Sequence, residues 1–482
     1  MGAIAVAVDK TGENVVPTVV LMLKELTHRG ADVHGVATPN SVRRAKKIEE
    51  ISIENINSSV ALGHNLSRIL SNDRPQPVLG DDFALVFEGR LFPSPNLSEV
   101  DQILEQLKGN LWKNAEDILT ELDGSYVFAI VQSNKAIVGR DSIGAIPLYY
   151  GENETLCAAA SERKALWTLG IKNVRSFPPG NLAVMNAHGF TFHSIKTVMQ
   201  PPVKPMELGM AAERLQELLL NSTKERVSNL ENVAIAFSGG LDSSVIAALA
   251  KTCGAEVHLV SVGLEDHSEI SHVKAAAEAL ELPLHLQTYM LEDVKRVLPK
   301  VLWLIEEPDV VKANIAIPFY WTAEVTSKLG CKVLLVGQGS DELFGGYQRY
   351  LRIYSQYGAA KVRDVMYRDV VLSYETNLQR DNQVCSFHGV ELRFPFLDHE
   401  VVCFSLSLPV SLKIECAENS LRKKVLRRVA QNLGIPSFIT NKPKRAIQYT
   451  TGVNKALRKL AREEGLSLRG YVKKSFREVY PK

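Results

Sequence analysis

The sequence has few cysteines, and no two lie close enough along the chain to form a CxxC metal or redox pair. The six (Cys157, Cys253, Cys331, Cys385, Cys403 and Cys416) are scattered, and none falls in the first 156 residues. That usage excludes a disulfide scaffold and a zinc ribbon and fits a reduced compartment. An excess of one charge is also missing, since 56 Lys and Arg against 54 Asp and Glu leave a formal net charge of +2. Nucleic acid is therefore not expected as a partner. No apolar run approaches the roughly 18–20 residues that span a bilayer, and no basic stretch with a hydrophobic core opens the chain. Gly2 is followed by Val6 where a myristoylation signal carries Ser or Thr. The expectation is a cytoplasmic enzyme acting on small molecules, without membrane association.

What is present is ample apolar material: 45% of 482 residues, enough for two or three domains with cores of their own. Up to about residue 190 the apolar runs are short and separated by turn residues. GAIAVAV, SVALG, FALVFEG, GSYVFAIVQ, KAIVG, LYYG, TLCAAAS and NLAVMN all have strand length and composition. Helical spacing is confined chiefly to VVPTVVLMLKELTHRG and LSEVDQILEQLKG. Residues 1–195 are expected to form two layers of antiparallel strands with helices outside. The segment KTVMQPPVKPM (196–206), with three prolines in eleven residues, reads as a linker. From 207 to 482 strands and helices alternate as VAIAF, SSVIAALAKTC, EVHLVSVGL, SEISHVKAAAEALEL, LHLQTY, LEDVKRVLPKVLWLIEE and KVLLVG, and the chain beyond Leu343 is mainly helical. Strands apolar on both faces between helices predict an α/β doubly wound parallel sheet.

In such a sheet ligands sit at the carboxyl ends of strands, where the backbone turns into a helix. Ser238-Gly239-Gly240-Leu241-Asp242-Ser243-Ser244 lies at that junction. Glycines there let backbone N–H groups face an anion, the serines add donors, and the helix offers its positive end. A carboxylate in a phosphate cradle calls for a bridging cation, so Asp242 is read as a Mg²⁺ ligand. An ordinary turn with a capped helix would use the same residue types.

The loop lacks the GK[ST] of a Walker motif and resembles the SGGxDS pyrophosphate loop of enzymes that split ATP between its α- and β-phosphates. VLLVGQGSDELFGGYQRY (333–350) is similar to the SGxGxDExFGGY segment of asparagine synthetases. Further likenesses follow in family order: THRGADVHG, ELDGSYVFAIV, GRDSIGAIPLYYG, ASERKAL with FPPGN, SFHGVELRFPFLDHEVVCFSLSLP and LRKKVLRRVAQNLGIPSFITNKPKRA. The chain resembles the asparagine synthetase family over nearly its whole length. The resemblance implies an N-terminal Ntn-type αββα glutaminase-like sandwich and a C-terminal ATP pyrophosphatase domain. It implies that Asp341 joins Asp242 on Mg²⁺, that Val262, Gly263, Val336 and Gly337 lie along the nucleotide, and that Lys444 meets the α-phosphate, with Lys442 or Arg445 as alternatives. Gln338 would lie by the acyl-adenylate, and Glu342 and Arg393 are candidate substrate contacts. Arg393 and Asp398 can also be read as an internal ion pair or as caps.

Several positions depart from the family pattern. Residue 2 is Gly where the family has its nucleophilic Cys, and Gly cannot form an acyl-enzyme. Glu88, in FEGRLF, replaces the Asn that donates to the oxyanion, where a carboxylate repels the developing charge. Leu66 falls on the arginine that binds the glutamine carboxylate, unless Arg68 takes its place; Gly89 and Asp123 lie among the same site's positions. The first domain is expected to keep its fold without hydrolysing glutamine, so that ammonia comes from solution or from a separate glutaminase. Gln338 stands where many family members carry Glu, and Gln orients but does not accept a proton. The leading expectation is a ligase using ATP, Mg²⁺ and ammonia on a carboxylate, L-aspartate first. Amide or lactam formation on a different carboxylate, and a silent binding subunit, stay open as alternatives. The family's habit of dimerising suggests a homodimer.

Overall fold

The strand Gly2–Asp9 is apolar at every position from Ala3 to Val8, so both of its faces must be covered. The protein, seen in a computed structural model that describes residues 2–94, 97–265, 269–414, 421–443 and 447–480, covers them with different partners. Ile4, Val6 and Val8 pack with Val86, Val127 and Ala129 between two sheets, while Ala3, Ala5 and Ala7 meet Val16, Val19 and Met22 of the helix Val16–Glu25. The second sheet repeats the arrangement: Leu85, Phe87 and Leu91 turn outward onto Val100, Ile103 and Ile118 of two helices, Glu99–Gln106 and Leu111–Glu121. Each buried Val, Ile or Leu contributes about 1.5–3 kcal/mol, which makes this layering the main source of the unit's stability.

That unit spans Met1–Val198 and a second spans Met199–Lys482. In the first, a seven-stranded and a six-stranded sheet are built from antiparallel pairs. Gly2–Asp9 lies between Leu156–Ala160 and Val60–Leu66, with Gly2 opposite Leu66. Family-like motifs in this unit act as braces. Arg29 donates to the Gly2 carbonyl at 3.0 Å and to Glu162 at 3.1 Å, and Ser161 Oγ accepts from Ile4 N at 2.9 Å. Asp141 accepts from the N–H groups of Tyr126, Ile143 and Gly144 at 2.8–3.0 Å, which ties a turn to the neighbouring strand.

The second unit is built on a five-stranded parallel sheet in the order Leu284–Tyr289, Glu256–Leu264, Asn232–Ala236, Val333–Leu335, Glu391–Arg393. Asn232–Ala236 is central, so its residues Val233, Ala234 and Ile235 are fully buried. It pairs with Val333–Leu335 through Ala234 opposite Leu334, so both strands deliver their following loops to the same edge. Among the described residues no helix is long and apolar enough to cross a membrane.

Candidate active site

The strand Asn232–Ala236 leads through Ser238 and Gly239 into the helix Leu241–Thr252. Gly239 turns the chain at φ +66°, a left-handed conformation that residues with a Cβ rarely adopt. Gly240 caps the helix with no side-chain hydrogen bond to its first N–H groups, which leaves them to a ligand. The strand Val333–Leu335 leads likewise into the short helix Ser340–Phe344. Because the two strands are parallel neighbours, their loops meet: Ser340 Oγ donates to Asp242 Oδ1 at 2.9 Å, across 98 residues of sequence.

Asp242 and Asp341 face one cation. Lys423 Nζ lies 2.7 and 2.8 Å from the two Asp242 oxygens, 2.6 Å from Asp341 Oδ1 and 3.0 Å from Ser340 Oγ. The contact with Asp341 is an ion pair. Lys423 is buried and takes φ +66° just before the helix Lys424–Asn432, a costly backbone for a lysine that the four oxygens around its ammonium hold in place. Space for the Asp341 carboxylate depends on Gly346, where a Cβ would stand 1.9 Å from Oδ1.

An ammonium within 2.8 Å of both carboxylates shows that they can share a positive ion, so the pair fits Mg²⁺. Among the described residues no group of three or more His, Cys, Asp or Glu could hold a metal by itself. Two carboxylates completed by substrate phosphates and water is how Mg²⁺ is commonly held.

Cations converge beside this pair. A pocket of about 60 Å³ is walled by Ser238, Gly240 and Asp242 and by Arg422, Lys423, Arg427 and Lys442. Lys442 is paired with Glu269, and Arg427 is fixed by the carbonyls of Arg422 and Thr440. Four cations against two carboxylates leave a surplus suited to a polyphosphate. The pocket shares Ser238, Asp242, Arg422 and Thr450 with a cavity of about 980 Å³ that runs past Gln338 and Glu342 to Asn377 and Arg380.

In that cavity Gln338 Nε2 donates to Asp381 at 2.5 Å, and Arg380 Nε donates to the other oxygen of Asp381 at 2.7 Å. Asp381 is buried, and burial raises its pKa against the opposing pull of Arg380 and Gln338. Glu342 accepts from Tyr347 Oη at 2.5 Å and Asn377 Nδ2 at 2.9 Å; burial and then the nearby Asp341 charge raise its pKa.

The structure brings Ser238, Gly240, Leu241, Asp242, Ser243, Val336, Gly337, Gln338, Asp341 and Glu342 to these two connected spaces. Ser244 is buried in the following helix, and its Oγ has no hydrogen-bond partner. Val262 and Gly263 are buried in the strand Glu256–Leu264 and line neither space. Arg393 also stands outside both; it donates to Glu391 at 2.7 Å and to the Arg226 carbonyl at 2.6 Å. Asp398 caps the helix His399–Ser407 and pairs with Arg226 at 3.1 Å, so Arg393 and Asp398 each have other partners. Lys444 and Arg445 lie outside the described residues. Sequence reasoning missed Lys423, Asp381, Arg380 and Asn377. For Lys423 a signal existed in the LRKKVLRR run, which the resemblance covers without singling out a lysine.

In the first unit the corresponding region is closed. Gly2 N donates to Glu88 Oε1 at 2.7 Å and His64 Nε2 donates to Glu88 Oε2 at 3.1 Å. Burial alone would raise the Glu88 pKa, but nearby positive charge, Arg29 included, and the hydrogen bond from His64 outweigh it and hold it at about 2. A Cβ on Gly2 would stand 2.0 Å from the Asn65 carbonyl oxygen. The space lined by Leu66, Glu88 and Gly89 is about 20 Å³, room for about one water. Arg90 fills its side, bound bidentately to Asp73 at 2.6 and 2.9 Å and to Glu99 at 3.2 Å. Arg68 N donates to Asp32, and Asp123 pairs with Lys196 at 2.8 Å, outside this space.

Comparison with known proteins agrees with this division. The family described as asparagine synthase matches residues 214–362 and 354–479, and a glutamine amidotransferase domain matches residues 64–168. A putative asparagine synthetase [glutamine-hydrolyzing] of Methanocaldococcus jannaschii is 32% identical over 92% of this chain and 93% of its own. Asparagine synthetase B [glutamine-hydrolyzing] of Escherichia coli is 25% identical over 89% of this chain and 78% of its own. Among solved structures, a glutamine phosphoribosylpyrophosphate amidotransferase from B. subtilis is 19% identical, with a TM-score of 0.37 over 59% of this chain and 65% of its own, too weak a likeness to carry an argument. With the family match covering residues 214–479 of the parallel-sheet unit and the Methanocaldococcus jannaschii relative aligned over 92% of the chain, the chain belongs to the asparagine synthase family.

Proposed function

We propose that the second unit activates a carboxylate, L-aspartate first, as an acyl-adenylate and amidates it with free ammonia. The observation that carries this reading is the convergence of Asp242 and Asp341 on a single cation position beside an uncapped helix N-terminus. A substrate carboxylate oxygen attacks the α-phosphorus of ATP; the bond to the β-phosphate oxygen breaks, and pyrophosphate leaves with the electron pair. Ammonia then attacks the acyl carbon, AMP departs, and the nitrogen releases a proton to water. Mg²⁺, held by Asp242 and Asp341, would supply charge neutralisation at the phosphates. Arg422, Lys423, Arg427 and Lys442 line the pocket proposed for pyrophosphate, where fixed cations would stabilise the charge that builds on the leaving group. Gln338, anchored by Asp381, orients the incoming amine without taking its proton.

The relatives' printed names include glutamine hydrolysis, and we do not extend that to this chain. Gly2 offers no nucleophile, Glu88 puts a carboxylate where an oxyanion would form, and the space beside it takes about one water. The test is pyrophosphate release from MgATP with L-aspartate, using ammonium or glutamine as nitrogen source. Asparagine formed from ammonium but not from glutamine is the expected result. No pyrophosphate with aspartate, under conditions where MgATP binds, overturns the reading.

A further inference from the structure

At the end of the parallel sheet away from the loops that carry Asp242 and Asp341, two histidines face each other across neighbouring strands. His258 is the third residue of Glu256–Leu264 and His285 the second of Leu284–Tyr289, the last strand of the sheet, so both sit at amino-terminal strand ends. Those two loops, by contrast, follow the carboxyl ends of their strands. His258 Nδ1 and His285 Nε2 are 3.1 Å apart, with ring centroids at 5.2 Å and ring planes at 50°. On the other side of the His258 ring, Nε2 lies 3.5 Å from Oε1 of the exposed Glu256. Both imidazoles are partly buried; burial and then His258 lower the His285 pKa, which favours the neutral ring that a metal requires.

Two imidazole nitrogens bound to one Zn²⁺ at about 2.0–2.1 Å each, at an angle of about 100°, stand about 3.1 Å apart. That spacing is already present, so the strands need not move and a tilt of the two rings converges their lone pairs on one point. A ligating histidine commonly presents its second nitrogen to a carboxylate, which fixes the tautomer, and Glu256 stands at that position for His258. We infer that His258 and His285 form a site for a borderline-soft divalent transition ion, Zn²⁺ or one of similar chemistry, with water completing its shell. Mg²⁺ is not its occupant, because that ion takes oxygen ligands. Binding replaces the single proton shared by the facing nitrogens; His285 carries that proton on its Nδ1 instead, and both rings stay neutral. The ion ties the edge strand Leu284–Tyr289 to its neighbour and stabilises the second unit without entering the reaction.

The experiment uses the full chain, stripped with a chelator, and Zn²⁺ as the probe, in calorimetric titration and thermal melts. At a hundredfold excess of Zn²⁺ over its dissociation constant, the melting temperature should rise by roughly 5–10 °C. E256Q should weaken binding roughly 10- to 100-fold, and H258Q and H285Q should weaken it more while melting like the wild type in the absence of metal. Cu²⁺ in place of Zn²⁺ should show coupling to two imidazole nitrogens by electron paramagnetic resonance, reduced to one in H285Q. D242N, at the opposite end of the sheet, should leave the Zn²⁺ shift in place. A wild type that binds no Zn²⁺, or a binding and melting shift that persist in both H258Q and H285Q, overturns the inference. Neither result bears on the ligase reading, since H285Q should release pyrophosphate from MgATP like the wild type.

Discussion

Replacing Lys423 by Met removes the ammonium that lies between Asp242 and Asp341 while keeping most of the buried stem. The lysine side chain is 3% exposed and each aspartate side chain 15%, so solvent screens the remaining charges poorly. Taking one partner from a buried ionic cluster costs about 3–5 kcal/mol, since the buried charges left behind lose a counter-ion. For a unit of this size each kcal/mol moves the melting temperature by about 2–4 °C, so a fall on the order of 10 °C is expected for the second unit. The sign of the metal effect is the sharper readout. In K423M, millimolar Mg²⁺ without nucleotide should recover much of the lost stability by filling the same space, whereas the wild type should respond weakly because its ammonium already occupies it. Differential scanning fluorimetry with and without Mg²⁺ measures both. An unchanged melting temperature in K423M, or an equal Mg²⁺ response in the two proteins, refutes the shared-cation argument.

Restoring the missing nucleophile should not restore its reaction: G2C is expected to release no glutamate from glutamine, because its Cβ would press on the Asn65 carbonyl oxygen at 2.0 Å, and a coupled glutamate assay checks it. G346A should fold yet lose pyrophosphate release by about 100-fold or more, as its Cβ displaces Asp341; metal-binding titration separates that loss from unfolding. Glu88 gives the first unit an acid limit. Its pKa is 4.5 unperturbed and about 2 when folded, so its roughly 3 kcal/mol is fully present above pH 4.5 and is lost as pH falls toward 2. Thermal melts of E88Q against wild type across that window should converge at the acid end.

Legibility in the sequence tracked how local each feature is. The strand–turn–helix at 232–252 was readable because apolar strand, glycines and amphipathic helix follow one another within twenty-odd residues. The N-terminal strands were readable from their runs, but Val33–Thr38 was partly absorbed into the THRGADVHG motif and Ser41–Ala45, a short basic stretch, was not recognised as a strand. The helix Val310–Lys328 was passed over because Ala313, Ile317, Phe319, Trp321 and Ala323 are buried around much of its circumference, which erases the amphipathic period. Lys423 could not be placed from spacing, since its partnership with Asp242 spans 181 residues and depends on two helices leaving one sheet edge. Asp381 was invisible for a related reason: a carboxylate in QRDNQVCS reads as solvated helix surface, and only the fold buries it under Gln338.

On the proposed ligase reading, the sealed contact between Gly2 and Glu88 sets a condition on where nitrogen comes from. An enzyme that cannot generate its nucleophile inside a protected compartment draws on the bulk pool, where nearly all of it at neutral pH is the protonated, unreactive form. On the proposed use of free ammonia, turnover at fixed total ammonium should climb with alkalinity in proportion to the neutral fraction.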